Sequence, residues 1–423
     1  MRAQLAWTLI TELVVMTASI LVLKLAAQLL GVVGFGEYTL SRRAIALLYL
    51  PLVLGLGIAA PRYVAIARAG ALPGYSERSF AIATFTAGLL PTLIVILLMN
   101  VSPGAASAII FGTSSMARLV PGATIALGGV AVHAMVYAVF RGRGEMRMAN
   151  SLQLFNNGIV PVASFLLSPH DAATILTVTG TTWIVTSGIA LVVVLILEER
   201  GAAPEYGLWD HLRLLLRFGL PRVPGEFALV GLFGLPALIA LRMHGVAAAG
   251  QFSAGLSLLT IVSSVFAPVG LVLLPRASAQ AATGDLLGLK HFVVRMLAGG
   301  IILVVIAVII GELLIPSFVG WYFGKDFVPA IPIFRACLPG AIPYVVYVLL
   351  RNVLDALDVR ALNSRNLIIT LAVLMTLCLL RTEIMSMALS LLAALTLLSI
   401  LSLRDTYIRL GRLTVAAPAT GTA

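Results

Sequence analysis

Apolar runs of about 20 residues recur along the chain, parted by short polar stretches. As α-helix, each run covers a hydrocarbon core of ~30 Å. The pattern predicts an all-α polytopic membrane protein of twelve spans. The first six lie near residues 6–28, 44–65, 80–101, 119–140, 150–168 and 173–197. The other six lie near 219–241, 252–275, 292–315, 328–350, 366–381 and 384–403. Glu12 interrupts the first run and no A-x-A-like cleavage site follows, so 6–28 reads as a span, not a signal peptide. The seventh span carries Pro221, Pro224 and Pro236, and proline predicts a kinked helix that needs protein or cavity water beside it.

The halves are joined by residues 198–218, EERGAAPEYGLWDHLRLLLRF. Leu208, Trp209, Leu212, Leu215 and Leu216 share one helical face there, with His211, Arg213 and Arg217 off it. This predicts an amphipathic linker helix on the inner membrane surface, the alternative being a solvated loop. The expected organisation is a six-helix lobe over 1–197, the linker over 198–218, a second six-helix lobe over 219–403 and a cytoplasmic tail over 404–423. The last ten residues of that tail, TVAAPATGTA, read as disordered.

The two lobes are written in related sequence. Residues 31–65 align without a gap on 245–279 at an offset of 214: Gly31 on Gly245, Gly36 on Gly250, Glu37 on Gln251, Pro61 on Pro275, Arg62 on Arg276. The same offset puts Glu12 on Glu226. Phe111-Gly112 echoes Phe323-Gly324, and Arg147-x-x-Asn150 echoes Arg360-x-x-Asn363. Matches that hold one register over half a chain indicate duplication. Six spans per copy is an even number, so both copies run the same way through the membrane as a parallel, pseudo-symmetric repeat.

Composition agrees with the medium: 60% of residues are hydrophobic and 11% charged, against roughly 25% charged in soluble proteins. The formal charge of +11 reports topology and not a nucleic-acid partner. With the N-terminus inside, inner segments hold nineteen arginines and lysines and outer segments six, which places both termini in the cytoplasm. Cys337 and Cys378 sit in apolar stretches as small core residues.

Charges inside spans are costly, ~2.5–3.5 kcal/mol each at mid-membrane, so they mark candidate sites. Glu12 and Glu226 lie two turns into the first helix of each lobe, and Arg222 stands one turn below Glu226, where an intrahelical pair is the plain alternative. Arg62 and Arg276 close the second helix of each lobe, with topological anchoring as the alternative. Lys24 and Arg335 lie near outer ends, where snorkelling accounts for them. His133, mid-span, together with Asn156 and Asn157, fits hydrogen bonding between helices. No nucleophile elbow, zinc-ligand spacing or phosphate loop is present, which argues for a transporter and against an enzyme.

G-x-x-x-x-G-E-Y from Gly31, followed by a helix ending L-G-L-G-x-A-x-P-R-Y-V-A, resembles the start of the bacterial polysaccharide exporters, the O-antigen and lipid-linked-oligosaccharide flippases. The stretch 323–330, FGKDFVPA, followed by Arg335, is similar to their motif before the tenth helix. An acidic or polar residue often precedes the L-G-L of these proteins, whereas Val53-Leu54 stands here. The resemblance implies two lobes around an alternating-access cleft, in the superfamily that also holds drug/cation antiporters. It implies export of a glycan on undecaprenyl pyrophosphate across the bacterial inner membrane, alongside a glycan polymerase and ligase. Arg62, Arg222 and Arg276 then suit the pyrophosphate. Glu12 and Glu226 suit a coupling proton or sodium ion, or hold those arginines; Lys24, His133 and Arg335 are further cavity candidates. No bound cofactor is expected. The alternatives are a drug/cation antiporter of the same fold or a membrane glycan polymerase or ligase.

Overall fold

A computed structural model describes residues 2–168, 171–196, 205–266, 280, 286–357 and 362–416. Every regular element in them is helical. Among the described residues nine stretches are long and apolar enough to cross a membrane, and large apolar side chains such as Leu97, Leu98, Leu313 and Leu314 stand exposed on them, as hydrocarbon requires.

The first half comprises α1 (Arg2–Leu52), α2 (Leu56–Arg68), α3 (Glu77–Val101), α4 (Pro103–Phe111) and α5 (Val120–Gly142). Then come α6 (Met146–Gln153), a π-helical turn over Leu154–Ile159, α7 (Val160–Leu167), α8 (Ala172–Ile196) and α9 (Leu208–Gly219). The second half comprises α10 (Val223–Ser264), α11 (Leu286–Tyr322), α12 (Ile331–Cys337), α13 (Ala341–Leu357), α14 (Leu362–Leu380) and α15 (Ile384–Ala416).

The duplication is visible in the backbone. α1 departs from helical geometry at Gly31 (φ 65°) and α10 departs from it at Gly245 (φ 79°), the two residues paired by the offset of 214. Gly112 and Gly324 also have positive φ, and 3₁₀ turns follow both, over Ser114–Leu119 and Lys325–Ala330. Around the first pair the contacts are reciprocal. A Cβ on Gly36 would lie 2.6 Å from the Val246 carbonyl, and one on Gly250 would lie 2.9 Å from the Val32 carbonyl. Val32 and Val246 are themselves paired by the offset, so each segment presents the same surface to the other.

Three expectations need correction. The second span does not begin at 44, since α1 continues through 29–43 with Gly31 alone outside helical geometry. Within 44–65 the helix breaks: Leu54 (φ 53°) and Gly55 (φ 72°) are left-handed, and α2 restarts at Leu56. No proline of the seventh span breaks α10, whose one departure from helical geometry is at Gly245, beyond the end of that span. Pro221 falls in a 3₁₀ turn and Pro224 in the first turn of α10, where a missing N–H costs little. The segment expected as a tail continues α15 to Ala416, with Asp405 buried and bonded to Arg365 at 2.7 Å. Residues 198–204, 267–275 and 417–423 of the expected linker, eighth span and tail lie outside the described residues.

The chain divides into two compact units. Unit 1 holds Met1–Val230, His244–Gly250 and Tyr322–Gly324; unit 2 holds Gly231–Met243, Gln251–Trp321 and Lys325–Ala423. In unit 1, α5 is central and packs on α2, α3, α6 and α8. Its seam with α8 is built from small residues, Gly122, Ala126 and Gly129 facing Ala173 and Gly180, so the backbones approach closely. In unit 2, α13 and α14 pack on α15, and Leu289, Val293, Val346, Leu350 and Val353 form a compact apolar cluster with Leu410.

The linker helix α9 belongs to unit 1 and lies on α2 and α3. Its fully buried side chains are His211 and Leu215, while Trp209, Arg213 and Arg217 stand exposed. The apolar face assigned from spacing is therefore divided, and His211 belongs to the covered side. Its imidazole donates from Nδ1 to the Gly207 carbonyl (2.8 Å) and accepts at Nε2 from the Ser76 N–H (3.2 Å), which lets it sit among Tyr75 and Phe80 without an unpaired polar atom.

Candidate substrate site in unit 1

The break at Leu54-Gly55 has a local cause. A Cβ on Gly55 would lie 2.4 Å from the Gly219 carbonyl, and one on Gly219 would lie 2.6 Å from the Leu54 carbonyl. Two backbones touch here, where α9 joins α10, so glycine is required for contact as well as for the left-handed φ. The close approach draws the start of α10 against α1 and α2, and Glu226 joins a cavity of about 380 Å³. Tyr49, Gly55, His133, Tyr137 and Gln153 also line it. A second cavity of about 340 Å³ shares Tyr49, Val130, Gln153 and Asn157 with the first and adds Arg42, Tyr38 and Trp183.

One turn beyond Ile58 on α2 stands Arg62; one turn before Glu226 stands Arg222. Both guanidinium groups meet the ring of Phe218, Arg62 at 4.6 Å and Arg222 at 3.7 Å from its centroid. Arg222 also donates from Nη1 to the Phe218 carbonyl at 2.5 Å. Among the described residues neither arginine has a carboxylate partner. Two cations can share one ring because its π faces are electron-rich, and most of their N–H donors stay available. Arg276, the repeat partner of Arg62, lies outside the described residues.

The remaining candidates separate. Glu12, half-buried on α1, feels the charge of Arg141 on α5, and among the described residues neither Arg62 nor Arg222 acts on it. Arg141 in turn lies 5.6 Å from the Tyr137 ring, so Glu12 joins the margin of the cavity through α5. Lys24 is half-buried and lines neither cavity. Arg335 is in unit 2, 3.8 Å from Glu312.

His133 was legible as a hydrogen-bonding residue, and it is the hub of a network on the π-helical turn. Asn156 Nδ2 donates to His133 Nδ1 (3.0 Å), so Nε2 carries the proton and donates to Gln153 Oε1 (3.1 Å). Asn156 Oδ1 accepts from Thr186 (2.7 Å), and its backbone carbonyl accepts from the Trp183 indole. The π turn matters here, since such insertions re-aim side chains and recur at functional sites. Gln153 and Arg42, which line these cavities, were not singled out from sequence. Gln153 lies at the end of a run whose polarity reads as a short, weak span, and Arg42 falls in what the apolar pattern reads as a loop.

At the opposite end of unit 1, Arg118 donates to both oxygens of Glu37 (2.6 and 2.5 Å) and to Asp171 (2.8 Å). Burial alone would raise the Asp171 pKa, but the Thr174 backbone N–H, Arg118 and the Thr174 hydroxyl together hold it below its ordinary value. A second ionic cluster joins Arg143 to Glu77 (2.9 Å) and Glu145 (3.1 Å) near the mouths of α3 and α6.

Solved structures of transporters of the MOP superfamily share the fold of this duplicated all-helical chain. An inward-facing multidrug resistance MATE family transporter of that superfamily is 12% identical, covers 94% of this chain and 96% of its own, and superposes with a TM-score of 0.73. An outward-facing structure of such a transporter is 13% identical over 98% and 97%, with a TM-score of 0.64. A MOP-superfamily transporter from Pyrococcus furiosus, described as having a binding pocket of reverse polarity, is 13% identical over 97% and 96%, with a TM-score of 0.66. No curated protein sequence matches. The pattern of the polysaccharide biosynthesis protein family matches residues 1–280, and the chain belongs to that family.

Proposed function

We propose that this protein is a flippase, moving an undecaprenyl-pyrophosphate-linked oligosaccharide from the cytoplasmic to the outer leaflet of the bacterial inner membrane, with both termini in the cytoplasm. The observation that carries the reading is the meeting of Arg62 and Arg222 on Phe218, one turn from a polar cavity, with no carboxylate to neutralise them among the described residues. Paired guanidinium forks suit the oxygens of a pyrophosphate and exclude a cation. Family membership supports a glycan as cargo. Glu226 in the cavity wall supplies a carboxylate that a proton or sodium ion can occupy in exchange, and polymerase and ligase of the same pathway would consume the product. Deleting the gene should leave a pyrophosphate-linked oligosaccharide on the cytoplasmic face, cleared by wild-type protein and not by the Arg62→Ala, Arg222→Ala double variant. Absence of any such lipid in the deletion strain would reject the reading.

A drug/cation antiporter is favoured by a different observation: Tyr49, Tyr137 and Glu226 line one cavity, and aromatic rings beside a carboxylate suit an organic cation. Export of cationic dyes that depends on Glu226, with no glycan phenotype, would select it.

A further inference from the structure

Gln153 and Asn157 line both cavities of unit 1, and their amides are half used. Gln153 Oε1 accepts from His133 Nε2 (3.1 Å) and from Asn157 Nδ2 (2.9 Å). Among the described residues nothing accepts from Gln153 Nε2, and nothing donates to Asn157 Oδ1. Both side chains are partly exposed where they line the cavities. Each amide is held by partners that are themselves held: His133 by Asn156, Asn156 by Thr186 and Ser187, and the π turn by the Trp183 indole. The site thus offers, at fixed positions and without formal charge, two N–H donors beside a carbonyl acceptor. Flat aromatic surface adjoins them, with Tyr49 in both cavities and Trp183 and Tyr38 in one.

That combination selects a ligand. A bare pyrophosphate would prefer the arginine pair, and an organic cation would prefer the carboxylate. A neutral ring with neighbouring hydroxyls on its edge and C–H bonds on its face matches uncharged amides flanked by aromatic rings. The cavities, about 340 and 380 Å³, fall in the range of small-ligand sites, ~300–1,000 Å³. We propose that Gln153 and Asn157, with Tyr49 as the apolar wall, form a subsite for one uncharged pyranose of the cargo, distinct from the arginine pair. The proposal rests on the flippase reading and divides the work of recognition within it. Arginines hold the part common to every polyprenyl pyrophosphate, and the amides read the sugar.

The test uses full-length protein in detergent and native mass spectrometry with two probes: undecaprenyl pyrophosphate, and the oligosaccharide-bearing lipid extracted from the deletion strain. Gln153→Leu and Asn157→Leu should each weaken the saccharide-bearing lipid about tenfold, the scale of one or two lost hydrogen bonds, and leave undecaprenyl pyrophosphate unchanged. Tyr49→Leu, which leaves the amide network in place, should do the same, so misfolding of the amide variants cannot mimic the result. Arg62→Ala should weaken both lipids alike. Wild-type discrimination in all three subsite variants, with Arg62→Ala still weakening both probes, would overturn the sugar subsite and leave the flippase reading standing. Failure of the wild-type protein to bind either lipid would overturn both.

Discussion

Two ends of the same helical unit carry arginines and treat them differently. At one end Arg118, about half exposed, is saturated by Glu37 and Asp171, drawing together the second part of α1, the turn before α5 and the start of α8. At the other, Arg62 and Arg222 lean on Phe218, with no carboxylate among the described residues. A guanidinium whose fork is filled by protein oxygens is a brace. One parked on an aromatic ring keeps its donors for a ligand, because ring faces attract the charge without occupying the N–H groups. Sequence position marks all three as charges near helix ends; the partner sorts structural from functional.

The largest expected effect follows from removing the second kind. Arg62→Ala with Arg222→Ala should cut transport roughly a hundredfold or more, each charge-assisted bond contributing ~1.5–3 kcal/mol, with thermal stability near wild type. Surface-glycan complementation at matched protein levels measures it, and full activity would make this end a brace as well. Gly55→Ala should lower stability by roughly 3 kcal/mol, through a left-handed alanine and a clash with the Gly219 carbonyl. A thermal melt reads it, and an unchanged midpoint would mean that the two backbones are not in contact. Glu226→Gln should fold normally and slow transport by roughly tenfold, ~1.4 kcal/mol, whereas Glu12→Gln, beside Arg141 and off the cavity lining, should slow it less. Equal and wild-type rates would remove both carboxylates from the mechanism.

Arg118→Ala should leave transport within about twofold and cost about 1 kcal/mol of stability, as exposed ion pairs do. A collapse of transport without destabilisation would erase the contrast between the two ends. The smallest effect is on pH dependence. The Asp171 pKa is held below its ordinary value of 3.8, so the stability it contributes is present above that value and is lost as pH falls through the lowered one. Wild type should therefore lose a contribution of less than ~1 kcal/mol on acidification below about pH 4, exposure keeping it small. Melting curves of Asp171→Asn should lack that component, and identical curves would show that Arg118 relies on Glu37 alone.

Much of the fold was legible because the bilayer imposes a strict code: apolar runs of fixed length, with charges displaced to their ends. The register of the duplication was legible for a further reason. Gly31 and Gly245 occupy conformations that penalise other residues, so both copies retain glycine and the alignment finds them. The break inside the second span was not legible, since Leu54 has no local reason to be left-handed and only the backbone of Gly219 supplies one. Gln153 and Arg42 escaped notice because polarity counted against a span, when in fact each faces a cavity whose walls come from helices far apart in the chain.

From its sequence alone this protein was determined to be helical, membrane-embedded, duplicated and marked by Arg62, Arg222, Glu12, Glu226 and His133, because hydropathy, left-handed glycines and costly charges act locally. Tertiary structure alone decided that Arg62 and Arg222 share Phe218, that Glu12 feels the charge of Arg141, that His211 is covered and that Gln153 and Asn157 line two cavities. Which partner a polar group finds depends on how distant helices pack, and no local pattern carries that information.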